Sequence, residues 1–287
     1  MKSNEFDTDK GREKSSPVFV WRREEMDVLL ATCETDDVFP LIQRHIEKDG
    51  LALDVGCGSG RYVRFMSDNG WNIAGIELSK ETVEMVNEAW PDLKIVQGDA
   101  ESIPFEQNEF DSVISFGVVE HSQQGPQKAL KEIFRVLKPG GRAVITVPCH
   151  NRIRRWKRLL YWYELQTAHI IFARMLKGQK PFCNRLNPAF SFATHPAVGD
   201  FFEYRLTPEE FAAEVRQAGF DIIEHVPIAL MDGIFHELNP FGLLVKFKEW
   251  KFMPTALGLW LNRFLAKRDF FHCHMQAVAV CKPSESG

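Results

Sequence analysis

Three glycines at alternate positions, an aspartate just ahead of them and two later carboxylates are the residues here whose types and spacing could do chemistry. Residues 53–60 read Leu-Asp-Val-Gly-Cys-Gly-Ser-Gly. The apolar run from Leu51 to Val55 has the character of a strand and leads straight into Gly56, Gly58 and Gly60. Glycines so placed permit a tight turn and let the backbone approach a ligand closely, since no Cβ stands in the way. Arg61 to Met66 reads as a helix, and the first amides of that helix point back into the turn. A strand, a glycine turn and a helix together form a site for a nucleotide-type cofactor.

The spacing separates the cofactor classes. A dinucleotide fingerprint needs glycines at relative positions one, three and six. Arg61 stands at the sixth, where its side chain would crowd the helix–strand contact and the pyrophosphate. Asp54, inside the strand, would add negative charge beside a pyrophosphate. It suits a cofactor whose near end carries an ammonium and a sulfonium. A phosphate-binding P-loop is excluded, because no Gly-Lys-Ser/Thr follows.

Several further motifs fall in order. These are Ile73-Ala-Gly-Ile-Glu77, Gln97-Gly-Asp99-Ala100, Phe110 to His121, and Val136-Leu-Lys-Pro-Gly-Gly141 running on to Pro148. With the glycine turn they resemble the class I S-adenosylmethionine-dependent methyltransferases, in particular the type 11 group. The resemblance covers residues 40–148 closely and 205–226 more loosely. It implies S-adenosyl-L-methionine as cofactor, held at the turn by Asp54, Gly56, Cys57, Gly58 and Gly60. Glu77 with Leu78 would take the ribose hydroxyls, Asp99 with Ala100 the adenine, and Ser115, Phe116 and Gly117 would close the site from the fourth strand. It also implies a Rossmann-like, seven-stranded, mostly parallel sheet of order 3-2-1-4-5-7-6. The last strand, Met275 to Cys281, would be antiparallel, with helices on both faces.

The residues read alone agree. Glu77 ends an apolar run about 20 residues beyond the turn, one βαβ step, at the strand edge where open α/β sheets bind ligands. A carboxylate there can accept two hydroxyl protons. Asp99 could equally cap a following helix.

Composition sets the frame. The chain has 287 residues and a net charge of −4, against a molecule uniformly built for nucleic acid. Its six cysteines include no C-x-x-C pair, so neither a disulfide framework nor a zinc knuckle is indicated, and no metal is expected. The polar stretch Met1 to Ser16 lacks an apolar signal core, and no apolar run approaches about 18 residues. The expected location is cytoplasmic, with peripheral contact at the inner membrane surface as a variant.

Strand and helix patterns alternate from residue 18 to Pro148, preceded by a disordered tail at 1–17. The alternation resumes at Thr207-Pro208, an N-cap followed by proline at the first helical position, and that helix stops before Gly219. The expected core is therefore 18–148 with 206–287, and 149–205 and 228–270 are insertions capping the substrate. The first insertion is rich in Arg and Lys, from Arg152 through Arg154, Lys157 and Arg174 to Arg185, with Ile153, Trp156, Leu160 and Tyr163 at helical spacing. The second carries the stripe Leu257, Trp260, Leu261, Phe264, Leu265 among lysines and arginines. Either stripe could pack on the core with solvated charges. Alternatively, their positive charge favours an anionic acceptor or surface, and a basic helix bearing tryptophan can lie in a lipid headgroup layer.

His121 is the candidate catalytic base, for imidazole titrates near neutral pH. It could instead only contact the cofactor, or join Glu120 on a metal. His150, His195 and Tyr204 rank behind it, and Cys149 reads as structural. The loop Phe116-Gly117-Val118-Val119 lacks the Asn/Asp-Pro-Pro-aromatic motif, which argues against adenine-N6 or glutamine methylation. The expected function is methyl transfer to a small-molecule or lipid-linked, anionic acceptor, with no DNA partner. The alternatives are an RNA methyltransferase gripping phosphates with its basic insertions, and a cofactor-binding partner subunit without catalysis.

Overall fold

The computed structural model describes residues 21–122, 124–159, 176, 190–195, 199–239, 242–248 and 251–284, without the side chains of 158, 159, 190–195, 199–202, 248 and 251. The expected tail at 1–17 lies outside these residues, as do Leu160, Tyr163, Arg174 and Arg185. The strands are β1 Leu51–Val55, β2 Asn72–Glu77, β3 Lys94–Gln97, β4 Phe110–Phe116, β5 Leu137–Pro148, β6 Phe190–His195, β7 Gly199–Tyr204, β8 Asp221–Ile228, β9 Val245–Lys248, β10 Lys251–Pro254 and β11 Met275–Cys281. The helices are α1 Arg23–Leu30, α2 Phe39–His45, α3 Arg61–Asp68, α4 Lys80–Ala89, α5 Gln127–Val136, α6 Arg152–Leu159, α7 Pro208–Gln217, α8 Leu230–Leu238 and α9 Ala256–Leu265.

Seven strands form one sheet in the order β3-β2-β1-β4-β5-β11-β8. β3 to β5 pair in parallel, whereas β11 runs antiparallel to both β5 and β8. This is the expected sheet, with the last strand inserted between the fifth and sixth. The central strands bury both faces, as their near-continuous apolar runs require. Met26, Ile42, Val63, Met66 and Val86 pack one side, from α1 to α4. Leu130, Ile133, Phe211 and Val215 of α5 and α7 pack the other. The α7 start is a full capping box: Thr207 accepts from the Glu210 amide, and Glu210 accepts from the Thr207 amide.

Beyond Pro148 the structure adds elements that the sequence pattern does not reveal. β6 and β7 form an antiparallel hairpin, so His195 ends a strand opposite Gly199 rather than sitting in a loop. α8, the hairpin β9–β10 and α9 pack on one another within 228–270. Gly233 of α8 lies against backbone: a Cβ there would stand 1.6 Å from the His272 carbonyl oxygen. The stripe on α9 is split, with Leu261 and Leu265 turned inward and the other three side chains outward. Gly258 and Leu265 are buried, while Leu257, Trp260 and Phe264 are exposed. Trp156 of α6 is likewise exposed. Among the described residues no helix is long and apolar enough to cross a membrane.

Candidate cofactor and acceptor site

The glycine turn leaves β1 at the carboxyl edge of the sheet. Gly56, Gly58 and Gly60 all take positive φ, at 74°, 53° and 72°, which side-chain-bearing residues rarely adopt. The Gly56 and Cys57 amides both donate to the Ile76 carbonyl, pinning the turn to β2. Cys57 contributes only backbone here, since its Sγ lies against Gly75 on the sheet side. Arg61 does not crowd the turn: its guanidinium reaches Thr32 at 2.9 Å and Asp36 at 3.3 Å, in the segment between α1 and α2.

Glu77 stands at the end of β2 with each oxygen held by a backbone amide, Oε2 by Gly58 at 3.0 Å and Oε1 by Ser79 at 2.9 Å. Burial raises its pKa above the usual carboxylate range, with the Ser79, Gly58 and Leu78 amides pulling it back. Burial pushes the Asp54 carboxyl further, up to about 8; the Arg61 guanidinium opposes the rise and Glu77 adds to it. Two buried carboxyls that resist ionising suit a ligand bringing positive charge and hydroxyl donors. Asp99 is exposed and accepts from the Glu101 amide at 2.8 Å, an Asx turn with no helix behind it, so the helix-cap alternative fails. Gly98 donates to the Glu77 carbonyl, which keeps Asp99 and Ala100 beside the end of β2.

β4 closes the other side. Ser115 is fully buried, and its Oγ has no hydrogen-bond partner. Phe116 meets Tyr62 edge-on at 5.0 Å. Gly117 turns the chain with a φ of 71°, and Val118 folds over Gly56 so closely that a Cβ on that glycine would lie 2.4 Å from it.

Residues 53–145 match the family described as a methyltransferase domain. This stretch, about a third of the chain, carries the methyltransferase-domain pattern of the type 11 group. S-adenosylmethionine is the cofactor of this domain class, and the turn, the paired carboxyls and the orphaned Ser115 hydroxyl fit it. Among known proteins the chain is similar to a demethylmenaquinone methyltransferase of Paenarthrobacter aurescens, 35% identical over 43% of this chain and 48% of that one. A second, from Chlorobaculum tepidum, is 27% identical over 66% of this chain and 73% of its own. The chain spans about half the length of the curated relatives it matches at 35% and 36% identity. In fold it resembles a SAM-dependent methyltransferase from Methanosarcina mazei, with a TM-score of 0.55, 17% identity and coverage of 87% of this chain and 100% of that one.

Trp21 carries no signal in the sequence, and Glu120 reads there only as a possible metal partner of His121. Trp21 lies over the glycine turn, where a Cβ on Gly58 would stand 2.7 Å from its Nε1. Glu120 follows Gly117 in a short 3-10 turn and is 2% exposed, with Oε2 buried and unpartnered. Burial lifts its carboxyl to about 7, against the pull of His121. Its Oε1 would lie 3.5 Å from a Cβ on Gly117, so it faces the end of β4. His121 is partly exposed, its Nε2 3.9 Å from Glu120 Oε1, longer than a hydrogen bond. The hairpin strand β7 packs on this turn, bringing Tyr204's strand to it; His150 is buried after β5. Cys149 is fully buried, as is the free Cys273, in keeping with a structural role.

The inserted elements are tied together by charge. Arg154 is 2% exposed, and its guanidinium reaches Glu237 at 2.6 Å, the Cys149 carbonyl at 2.6 Å and His274 Nδ1 at 2.9 Å. Lys157 joins the same Glu237 carboxylate at 2.8 Å. Burial pushes Glu237 upward, but Arg154 and Lys157 override it and hold its pKa below the usual value. Burial drives His274 down to about 3. So two of the basic residues expected to meet an anionic acceptor are engaged in tying α6 to α8. Asp232, His236 and His274 offer atoms within 4.8 Å of one another, as a metal site would. However, Arg154 can only donate, so Nδ1 of His274 accepts and Nε2 carries the proton. Its rings also stack with His236 at 4.7 Å, an arrangement of a hydrogen-bonded stack rather than a coordination sphere.

Proposed function

We propose that this chain is an S-adenosylmethionine-dependent methyltransferase acting on a small-molecule or lipid-linked acceptor, anionic in character, by in-line transfer. The observation that carries this reading is the Glu77 carboxylate, locked by the Gly58 and Ser79 amides with lone pairs left for two ribose hydroxyls. Asp54 balances the positive end of the cofactor, the Gly56, Cys57, Gly58 and Gly60 backbone lets it approach, and Leu78, Asp99 and Ala100 border the adenine. Ser115, Phe116 and Gly117 border the methyl-bearing end.

The cofactor supplies an activated methyl group, so the protein's part is chiefly to align the acceptor. An oxygen, nitrogen or acidic carbon acceptor must also lose a proton. His121, partly exposed beside β4, is the proposed base. Glu120, whose carboxyl titrates near neutrality behind Gly117, shares that work or fixes the acceptor's orientation. The demethylmenaquinone methyltransferase relatives support a small hydrophobic acceptor. Arg154 and Lys157, paired with Glu237, leave less free positive charge for an RNA backbone than the sequence counts.

Calorimetry with S-adenosylmethionine, followed by turnover of a methyl-labelled cofactor with quinol and lipid-extract fractions, tests the proposal. Micromolar binding lost in Glu77→Ala, with label appearing in an organic-soluble product, is the expected result. Binding without any labelled product would favour a non-catalytic subunit, and no binding would overturn the reading.

A further inference from the structure

The outer face of α9 is apolar where a soluble helix is polar. Leu257, Trp260 and Phe264, one helical turn apart, are 56%, 62% and 51% exposed. The helix buries its other side against Leu244 and α8 through Gly258, where a Cβ would stand 2.1 Å from the Leu244 carbonyl oxygen. The orientation is therefore fixed by a contact that admits no side chain, and the apolar face has to point outward. Trp260 and Phe264 stack in parallel at 6.0 Å, and Arg268 lies over Phe264 at 5.0 Å. Arg263 and Lys267 are exposed beside them. Leu243 and Met253, both at the open end of the adjoining hairpin, are exposed as well.

The charge around this face is predominantly positive. Between residues 242 and 269 the sequence holds Lys246, Lys248, Lys251, Arg263, Lys267 and Arg268 against Glu249 and Asp269, in a chain whose net charge is −4. A second copy docking isologously would set these cations against their own equivalents, at a repulsive cost. An anionic bilayer complements both features. Aliphatic and aromatic side chains enter the headgroup boundary, tryptophan favours that depth, and the flanking cations meet lipid phosphates.

We propose that α9 and the β9–β10 hairpin form a docking surface for anionic lipid membrane, with Leu257, Trp260 and Phe264 inserted and Arg263 and Lys267 on the headgroups. The surface lies outside the cofactor site, so the proposal stands whether or not the methyl-transfer reading holds.

The test is co-sedimentation of the full chain with vesicles of phosphatidylcholine, with and without phosphatidylglycerol, at low and high salt. Expected is binding only to the anionic vesicles, weakening as salt rises. Trp260→Ser with Phe264→Ser should abolish it, while thermal midpoint and S-adenosylmethionine affinity stay unchanged, showing that the fold survives. Arg263→Ser and Lys267→Ser should each weaken it by about fivefold. Equal or absent binding to both vesicle types overturns the proposal, as does unaltered binding by the double variant. Self-association in ultracentrifugation that the double variant abolishes, without vesicle binding, would assign the face to a second copy instead.

Discussion

The two halves of the carboxyl edge are built by different means. Over β1, β2 and β4 the site is a backbone construction. Amides of Gly58 and Ser79 hold a carboxylate, and three left-handed glycines shape the cradle. Beyond β5, β11 and β8 the inserted elements are a side-chain construction, with Arg154 and Lys157 converging on Glu237 across 83 and 80 positions of sequence. A backbone site leaves its signature in consecutive residues. A side-chain bracket of this kind leaves only two charges far apart, indistinguishable from solvated ones. On the proposed function the difference also divides the tasks: the first half would recognise the cofactor, and the second fixes α6 against α8.

Breaking each half should give separable losses. Gly58→Asp, which forces bulk and charge into a position at φ 53° and 2.7 Å from Trp21, should abolish cofactor binding by calorimetry while the far-ultraviolet circular dichroism is kept. Measurable affinity in that variant would refute the backbone account. Arg154→Met leaves Glu237 buried without one of its partners and should cost about 3–5 kcal/mol in denaturant unfolding. Cofactor affinity of the folded variant should hardly change; a large change would erase the division of labour.

Affinity should next depend on pH through Asp54. Below about 8 its carboxyl is mostly protonated in the empty site, so a positively charged cofactor binds by expelling a proton. Affinity therefore falls as pH drops from 8, by at most about tenfold per unit. Asp54→Asn should flatten calorimetric titrations measured across that range. On the acceptor side, Glu120→Gln should leave cofactor affinity intact, lower turnover and remove an inflection near pH 7. The smallest effect is expected at Thr207→Ala, which loses one cap of α7 and about 1 kcal/mol of stability, with no change in binding.

The sheet and its ligand edge were legible because period, glycine placement and strand-end acids are local signals. So was the Thr207 cap, a four-residue pattern. Helical periodicity at Leu257, Trp260 and Phe264 announced a stripe but not its direction, because the burial of Gly258 against Leu244 decides that and has no periodic mark. Trp21 reached the turn from outside any motif. Glu120 was read only as a partner to His121, since the desolvation that sets its titration depends on β7 and its neighbours rather than on adjacent residues. The bracket at Glu237 reversed the expected availability of Arg154 and Lys157 for the same reason.

Gly233 fits against the His272 carbonyl with no clearance, and Gly258 does the same against Leu244. Joints of this kind behave like keyed surfaces: they tolerate no shim and permit no sliding. The inserted elements 228–270 are thus locked to one another and to the segment before β11, and Arg154 ties α6 into the same block through Glu237 and His274. For anyone recasting the acceptor preference of this domain, the glycine joints are fixed points. Variation belongs in the loops that hang from them.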